Sequence, residues 1–191
     1  MSPSQSPVIH EIMRAFDEKG HAPYALEEVS QLEHALQTAA LAREEDASDS
    51  LLCAALLHDL GHILEETQMP ENLAEDLHDR HEEKAYHYLE KYFGKPVAEP
   101  VKLHVAAKRY LCTTEAAYEL QLSPTSRKSY HDQGGRMQAE ELHAFTQNPH
   151  YQDALRLRRW DDIAKVPGKS VPALETYLPV LQACLTDSTT T

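Results

Sequence analysis

Leu51-Leu52-Cys53-Ala54-Ala55-Leu56-Leu57-His58-Asp59-Leu60-Gly61-His62 is the stretch on which the fold turns. Seven apolar residues without a polar face describe a helix that is central and buried on every side. Ser48 or Asp49 can cap its start, and Gly61 is a natural residue at which to end it. The apolar run finishes on His58 beside Asp59. A carboxylate in that position is costly to bury unless it is paired or ligates a cation. Adjacent residues cannot share one face in mid-helix, but at the end of the helix both can reach one site.

Outward from this run the periodicity stays helical. Ser6-Pro7 reads as an N-cap followed by a first-turn proline, with Gly20 closing that helix. Val29, Leu32, Leu36, Ala39 and Ala40 recur at helical spacing over residues 27–45. Further helices are predicted over 79–93 and 100–113, with Pro100 in a first turn, and over 115–121, 125–132, 138–146, 150–164 and 173–185. Gln133-Gly134-Gly135 and Val166-Pro167-Gly168 read as loops. No alternating strand pattern or internal repeat occurs. The expectation is an all-α helical bundle forming a single domain over 1–186, with a disordered tail over 187–191.

The 191 residues carry a net charge of −13, which argues against nucleic acid as a partner. That charge is uneven: residues 1–100 hold a net −14 and residues 101–169 a net +3. Lys108, Arg109, Arg156, Arg158 and Arg159 lie in the basic section, which suits a small anionic ligand. No run approaches the roughly 18 apolar residues of a membrane span, and the first residues lack the pattern of a secretory signal. Cys53, Cys112 and Cys184 are odd in number and widely spaced, which speaks against a disulfide framework or a thiolate metal site. The chain reads as soluble and cytoplasmic, with its oligomeric state open. Twelve histidines point to a metal. His34, His58 with Asp59, His81, His104 and Asp161 fall on five different helices, the way a bundle builds an inward-facing metal centre.

His34, the His58-Asp59 pair and Asp161 resemble the H…HD…D signature of the HD-domain superfamily, and His81 and His104 match the added ligands of its binuclear members. Four imidazoles and two carboxylates without sulfur suit a pair of first-row ions such as iron or manganese, and Asp59 has two oxygens with which to bridge them. Phosphohydrolases are the most common HD proteins, and many continue the pair as HD-x-G-K, whereas this chain reads His58-Asp59-Leu60-Gly61-His62. Five stretches are similar instead to the HD-domain mixed-valent diiron oxygenases. They are Tyr24-Ala-Leu-Glu27, Gln31-Leu-Glu-His34, His104-Val-Ala-Ala-Lys108-Arg-Tyr-Leu-Cys112, Gln133-Gly-Gly135 and Leu157-Arg-Arg-Trp-Asp161-Asp-Ile-Ala-Lys165. The nearest branch acts on 2-amino-1-hydroxyethylphosphonate or its N-trimethylated relative; myo-inositol oxygenases are more distant. The resemblance spans about residues 24–165.

The resemblance implies a binuclear centre in the core of the bundle. One iron would be held by His34, His58, Asp59 and Asp161, and the other by Asp59, His81 and His104. It implies an Fe(II)/Fe(III) pair that uses O₂ to cleave the C–P bond of a 1-hydroxy-2-(amino or trimethylammonio)ethylphosphonate, giving phosphate with glycine or glycine betaine. The substrate supplies the electrons, so no nicotinamide, flavin or haem is required, in keeping with the absence of a Gly-rich dinucleotide fingerprint. Lys108, four residues after His104, and His62, four after His58, can reach a group bound at the metal. With Asp59 they form the candidate catalytic set. Ser126, Ser129 and Gln133 offer neutral donors and Arg158 a positive one for the phosphonate. Tyr24 and Glu27 act as a lid by resemblance. Tyr24, Tyr110, Glu27, Glu28 and Glu33 would suit either a primary or a methylated amine. A metal-dependent phosphohydrolase is the alternative, and a non-enzymatic binding module ranks behind both.

Overall fold

The computed structural model describes residues 6–64 and 81–186, and for His81 and Glu82 the backbone alone. His78 and the tail 187–191, expected at the surface and disordered respectively, lie outside the described residues. Ten α-helices are present among the described residues: α1 (Pro7–Lys19), α2 (Gln31–Glu44), α3 (Asp49–Leu57), α4 (His81–Phe93), α5 (Lys95–Thr114), α6 (Tyr118–Gln121), α7 (Pro124–Asp132), α8 (Ala139–Gln147), α9 (Tyr151–Ile163) and α10 (Leu178–Cys184). A 3₁₀ turn over Leu60–His62 follows α3, and another over Leu174–Tyr177 precedes α10. The only extended pairing among these residues is an isolated bridge between Pro23 and Ser30. None of the described helices is long and apolar enough to cross a membrane.

The apolar run is the axis of the molecule. Every residue from Leu51 to Leu57 is buried, and α3 packs against α2, α5, α9 and α10. Ser48 caps it, accepting a hydrogen bond from the Leu51 amide at 3.3 Å. α2 starts on a full capping box, in which Ser30 Oγ accepts from Glu33 N at 3.2 Å and Glu33 Oε2 from Ser30 N at 2.8 Å. α2 is also stitched to the chain beyond α9. The buried Gln37 amide donates to the Val166 carbonyl at 2.8 Å and accepts from the Val166 amide at 3.0 Å.

Two expectations about element ends need correction. α3 stops at Leu57, short of Gly61, which sits in the 3₁₀ turn rather than closing the helix. Pro100 lies inside α5, which begins five residues earlier at Lys95 and holds a second proline, Pro96, in its first turn. An interior proline costs a helix about 3 kcal/mol through its lost N–H and its ring clash. Here Pro100 is buried beside Val97, Ala98 and Val101, and that packing offsets the lost bond.

Leu56 is 1% exposed within this core. Replacing Leu56 by Ala should cost about 3 kcal/mol and lower the Tm by roughly 6–12 °C, checked by thermal unfolding followed by circular dichroism.

Candidate metal centre

His58 caps α3 with its backbone still helical (φ −62°, ψ −34°), and Asp59 (φ −103°, ψ 14°) breaks from the helix before the Leu60–His62 turn. That break lets two adjacent side chains reach one site. His34 faces them from the first turns of α2, His104 from the middle of α5, and Asp161 from the last turn of α9. All five are buried. His34, His58 and Asp59 place ligand atoms within 4.8 Å of one another. His34 Nε2 lies 3.1 Å from His58 Nε2, 3.3 Å from Asp161 Oδ1 and 3.6 Å from Asp59 Oδ2. His58 Nε2 lies 3.2 Å from Asp59 Oδ2, and His104 Nε2 lies 3.8 Å from Asp59 Oδ1.

The other ring nitrogens fix what those Nε2 atoms offer. His34 Nδ1 donates to the Ala164 carbonyl at 2.9 Å, His58 Nδ1 to Ala55 at 2.8 Å and His104 Nδ1 to Val101 at 2.6 Å. With each Nδ1 carrying a proton, each neutral ring turns an Nε2 lone pair inward. Lone pairs 3.1 Å apart beside two carboxylates repel unless a proton or a cation comes between them. The electrostatics agree. Burial lowers the His58 pKa, but Asp59 and Asp161 outweigh it and raise it to about 9. Burial also raises that of Asp161, yet Arg158, Lys165 and His34 hold its carboxyl well below the usual carboxylate range. His104 is lowered to about 4, chiefly by burial, so it stays neutral. Buried Asp161 Oδ1 accepts no hydrogen bond. The donor set fits a metal ion with nitrogen and oxygen ligands. His81 opens α4, which packs on α5 and on the Leu60–His62 turn. Its side chain lies outside the described residues.

Beside these ligands opens a cavity of about 290 Å³ that reaches Asp59, His104 and Asp161. Each expected substrate contact lines it: Tyr24, Glu27, His62, Lys108, Ser126, Ser129, Gln133 and Arg158. Lys108 Nζ donates to Ser129 Oγ at 2.6 Å, and burial pulls its pKa down to about 8. The first turn of α7 contributes Thr125 and Ser126 to the same wall. Gln133 is held there by a turn through Gly134 and Gly135, whose φ of 101° and 64° favour glycine, and its buried Oε1 has no hydrogen-bond partner. Tyr24 stacks on the His34 ring at 3.9 Å between centroids, with its hydroxyl on Asp59. Glu27 accepts from Ser123 Oγ at 2.6 Å, joining the 20–30 loop to α7.

Some expectations shift. His62 reaches the cavity from the 3₁₀ turn rather than from a continued α3. Arg158 is less a free anion partner than a brace. It pairs with Asp161 Oδ2 at 2.7 Å and grips Asp162 through Nε at 3.1 Å and through Nη2, while Tyr118 also bonds Asp162. Arg109, Arg156 and Arg159 serve elsewhere, on Glu141, Glu45 and Glu115. Lys165 was missed as a site residue. It donates to Ser126 Oγ at 2.9 Å and lies 3.9 Å from Asp161 Oδ1. Its signal was present, since it follows Asp161 by four residues as Lys108 follows His104.

Asp59→Ala should abolish metal retention while leaving helicity intact. Asp162→Asn, which loosens the brace on Asp161, should weaken metal affinity about 10–100-fold, read by titrating metal into stripped protein.

Residues 10–143 match the family described as HD domain. Over 164 residues the chain is 48% identical to hydroxymethylphosphonate dioxygenase of Gimesia maris, covering 85% of this chain and 81% of that one. Over 168 residues it is 37% identical to 1-hydroxy-2-(trimethylamino)ethylphosphonate dioxygenase (glycine-betaine-forming) of Leisingera caerulea, covering 87% and 85%. With the His58-Asp59 pair at the centre of its helical frame, the chain belongs to the HD-domain family, on the branch that holds these phosphonate dioxygenases.

Proposed function

We propose that the protein is an O₂-dependent dioxygenase that cleaves the carbon–phosphorus bond of a small 1-hydroxyphosphonate. The observation that carries the reading is a cavity with two lysines and several hydroxyls on its wall, opening directly onto a buried histidine–aspartate site. Iron held by His34, His58, Asp59 and Asp161, with a second ion held by Asp59, His81 and His104, would supply the O₂ and electron-transfer chemistry as an Fe(II)/Fe(III) pair.

The chain's own residues bind and orient the substrate. Lys108, Lys165 and the α7 first turn face the phosphonate oxygens with charge-assisted donors. Ser126, Ser129 and Gln133 add neutral partners, and His62 on the wall can take and return the proton of the C1 hydroxyl. Tyr24, with its hydroxyl on Asp59, and Glu27, tied to Ser123, close the cavity toward solvent. One C–P and one C–H bond break, O₂ takes up four electrons, and a carboxylate and phosphate result, so no external reductant enters.

The volume holds about ten waters' worth of ligand, so size admits both the hydroxymethyl compound and its 2-amino or 2-trimethylammonio extensions. The relative at 48% identity is named for a substrate with no amine. The amine-bearing compounds, giving glycine or glycine betaine, therefore stand beside hydroxymethylphosphonate, which would give formate. Iron-loaded protein should release phosphate from at least one of these only when O₂ is admitted, and partly oxidised protein should show the EPR signal of a coupled mixed-valent pair. Oxygen-independent release, or phosphate-ester hydrolysis with Mn²⁺ under nitrogen, would establish the phosphohydrolase alternative instead.

Lys108 carries its charge below its lowered pKa of about 8. Phosphonate affinity should fall as pH rises through that value, and Lys108→Met should both weaken binding and flatten that limb of the profile, measured as KM against pH.

A further inference from the structure

Two of the three cysteines, far apart in sequence, meet in the fold. Cys53 lies in the middle of α3 and is fully buried; Cys184 is the last residue of α10 and is half-buried. The Cys53 thiol is 3.6 Å from the Val180 carbonyl, and Val180 stands one helical turn before Cys184 on the same face of α10. Cys184 packs against the core that contains Cys53, and its thiol interacts with the side chains of both Cys53 and Ser50, which are three residues apart on one face of α3. The Cys184 sulfur thus sits in the notch between Ser50 and Cys53, where α10 packs on α3. Cys112 belongs to a different cluster, with Leu111, Tyr118 and Tyr130.

The two thiols are unequal. Contact with Cys53, aided by Ser50, holds Cys184 below its ordinary value in spite of partial burial. The same contact and deep burial push Cys53 far up. The more exposed sulfur is therefore the one that ionises first and meets an oxidant first.

We propose that Cys53 and Cys184 form a redox pair, closed to a disulfide by a hydroperoxide, that staples α10 to the central helix. The Cys184 thiolate attacks the peroxide oxygen, the O–O bond breaks, and hydroxide leaves, becoming water with the proton that the thiol released and leaving a sulfenic acid on Cys184. The Cys53 sulfur then attacks that sulfur, its proton leaving with the hydroxyl as a second water. The two thiols lose two electrons, and one hydrogen peroxide becomes two waters. The bridge closes a loop of about 130 residues and constrains the unfolded chain accordingly.

The test uses the full-length protein as purified, treated with hydrogen peroxide and in parallel with diamide, then denatured, alkylated with N-ethylmaleimide and weighed intact. The expected product has lost two hydrogens, takes up one maleimide, on Cys112, and yields a cross-linked peptide pair containing residues 53 and 184. Its Tm should rise by roughly 5–15 °C and return on reduction with dithiothreitol. Cys184→Ser, at the half-buried edge, should abolish the cross-link, whereas Cys112→Ser should leave it. Three alkylated thiols after both oxidants, a bridge involving Cys112, or irreversible over-oxidation of Cys184 without a cross-link would each overturn the proposal.

Discussion

The arrangement depends on three imidazole Nδ1–H bonds to backbone carbonyls, those of Ala55, Val101 and Ala164. Each carbonyl belongs to the helical framework or its edge, so each ring is oriented by main chain rather than by a mobile side chain. The cost is a cluster of inward lone pairs and carboxylates buried in an apolar surround, which only positive charge can settle. Stability of the frame and affinity for a cation are thus set by the same contacts. A helix whose last seven residues are all apolar and buried is the kind of support that such a cluster needs, because it does not yield when like charges push apart.

Charge is then graded outward from that centre. Asp161 is clasped by Arg158, which is itself shared with Asp162, and Asp162 is held by Tyr118. Beyond this lie Lys108 and Lys165, each donating to a serine of α7. An acidic protein thereby presents two lysines on the wall of its cavity. The serines hold the lysines in place, and under the proposed function a bound phosphonate would take over those hydrogen bonds with little rearrangement.

The helical frame and the metal cluster were legible in the sequence because both have strong, local signatures. A continuous apolar run admits few alternatives, and a His-Asp pair at its end has few inexpensive positions. The lining of the cavity was legible too, since helical spacing ties Lys108 to His104. Partner choice was harder to read. Arg158 looks from its position like an anion contact, but two carboxylates within one turn claim it first. Lys165 follows Asp161 by four residues but lies past the end of α9, so its spacing is a weaker guide than that of Lys108, and the chain still turns it toward Asp161. Pro100 followed the usual rule against interior prolines until burial outweighed it. The Cys53–Cys184 contact has no local signature, because it comes from the packing of α10 on α3.

The bond from His34 to the Ala164 carbonyl, with the paired bonds of Gln37 to Val166, ties α2 to a segment about 130 residues further along the chain. His34 cannot take its working orientation until that segment has been made and docked. During synthesis from the N-terminus, His34, His58, Asp59 and His104 all emerge well before Asp161 and the carbonyl that aligns His34. Closing so long a loop belongs to the late stages of assembly. A nascent chain therefore carries loose histidines rather than a formed centre, and metal capture follows folding instead of guiding it.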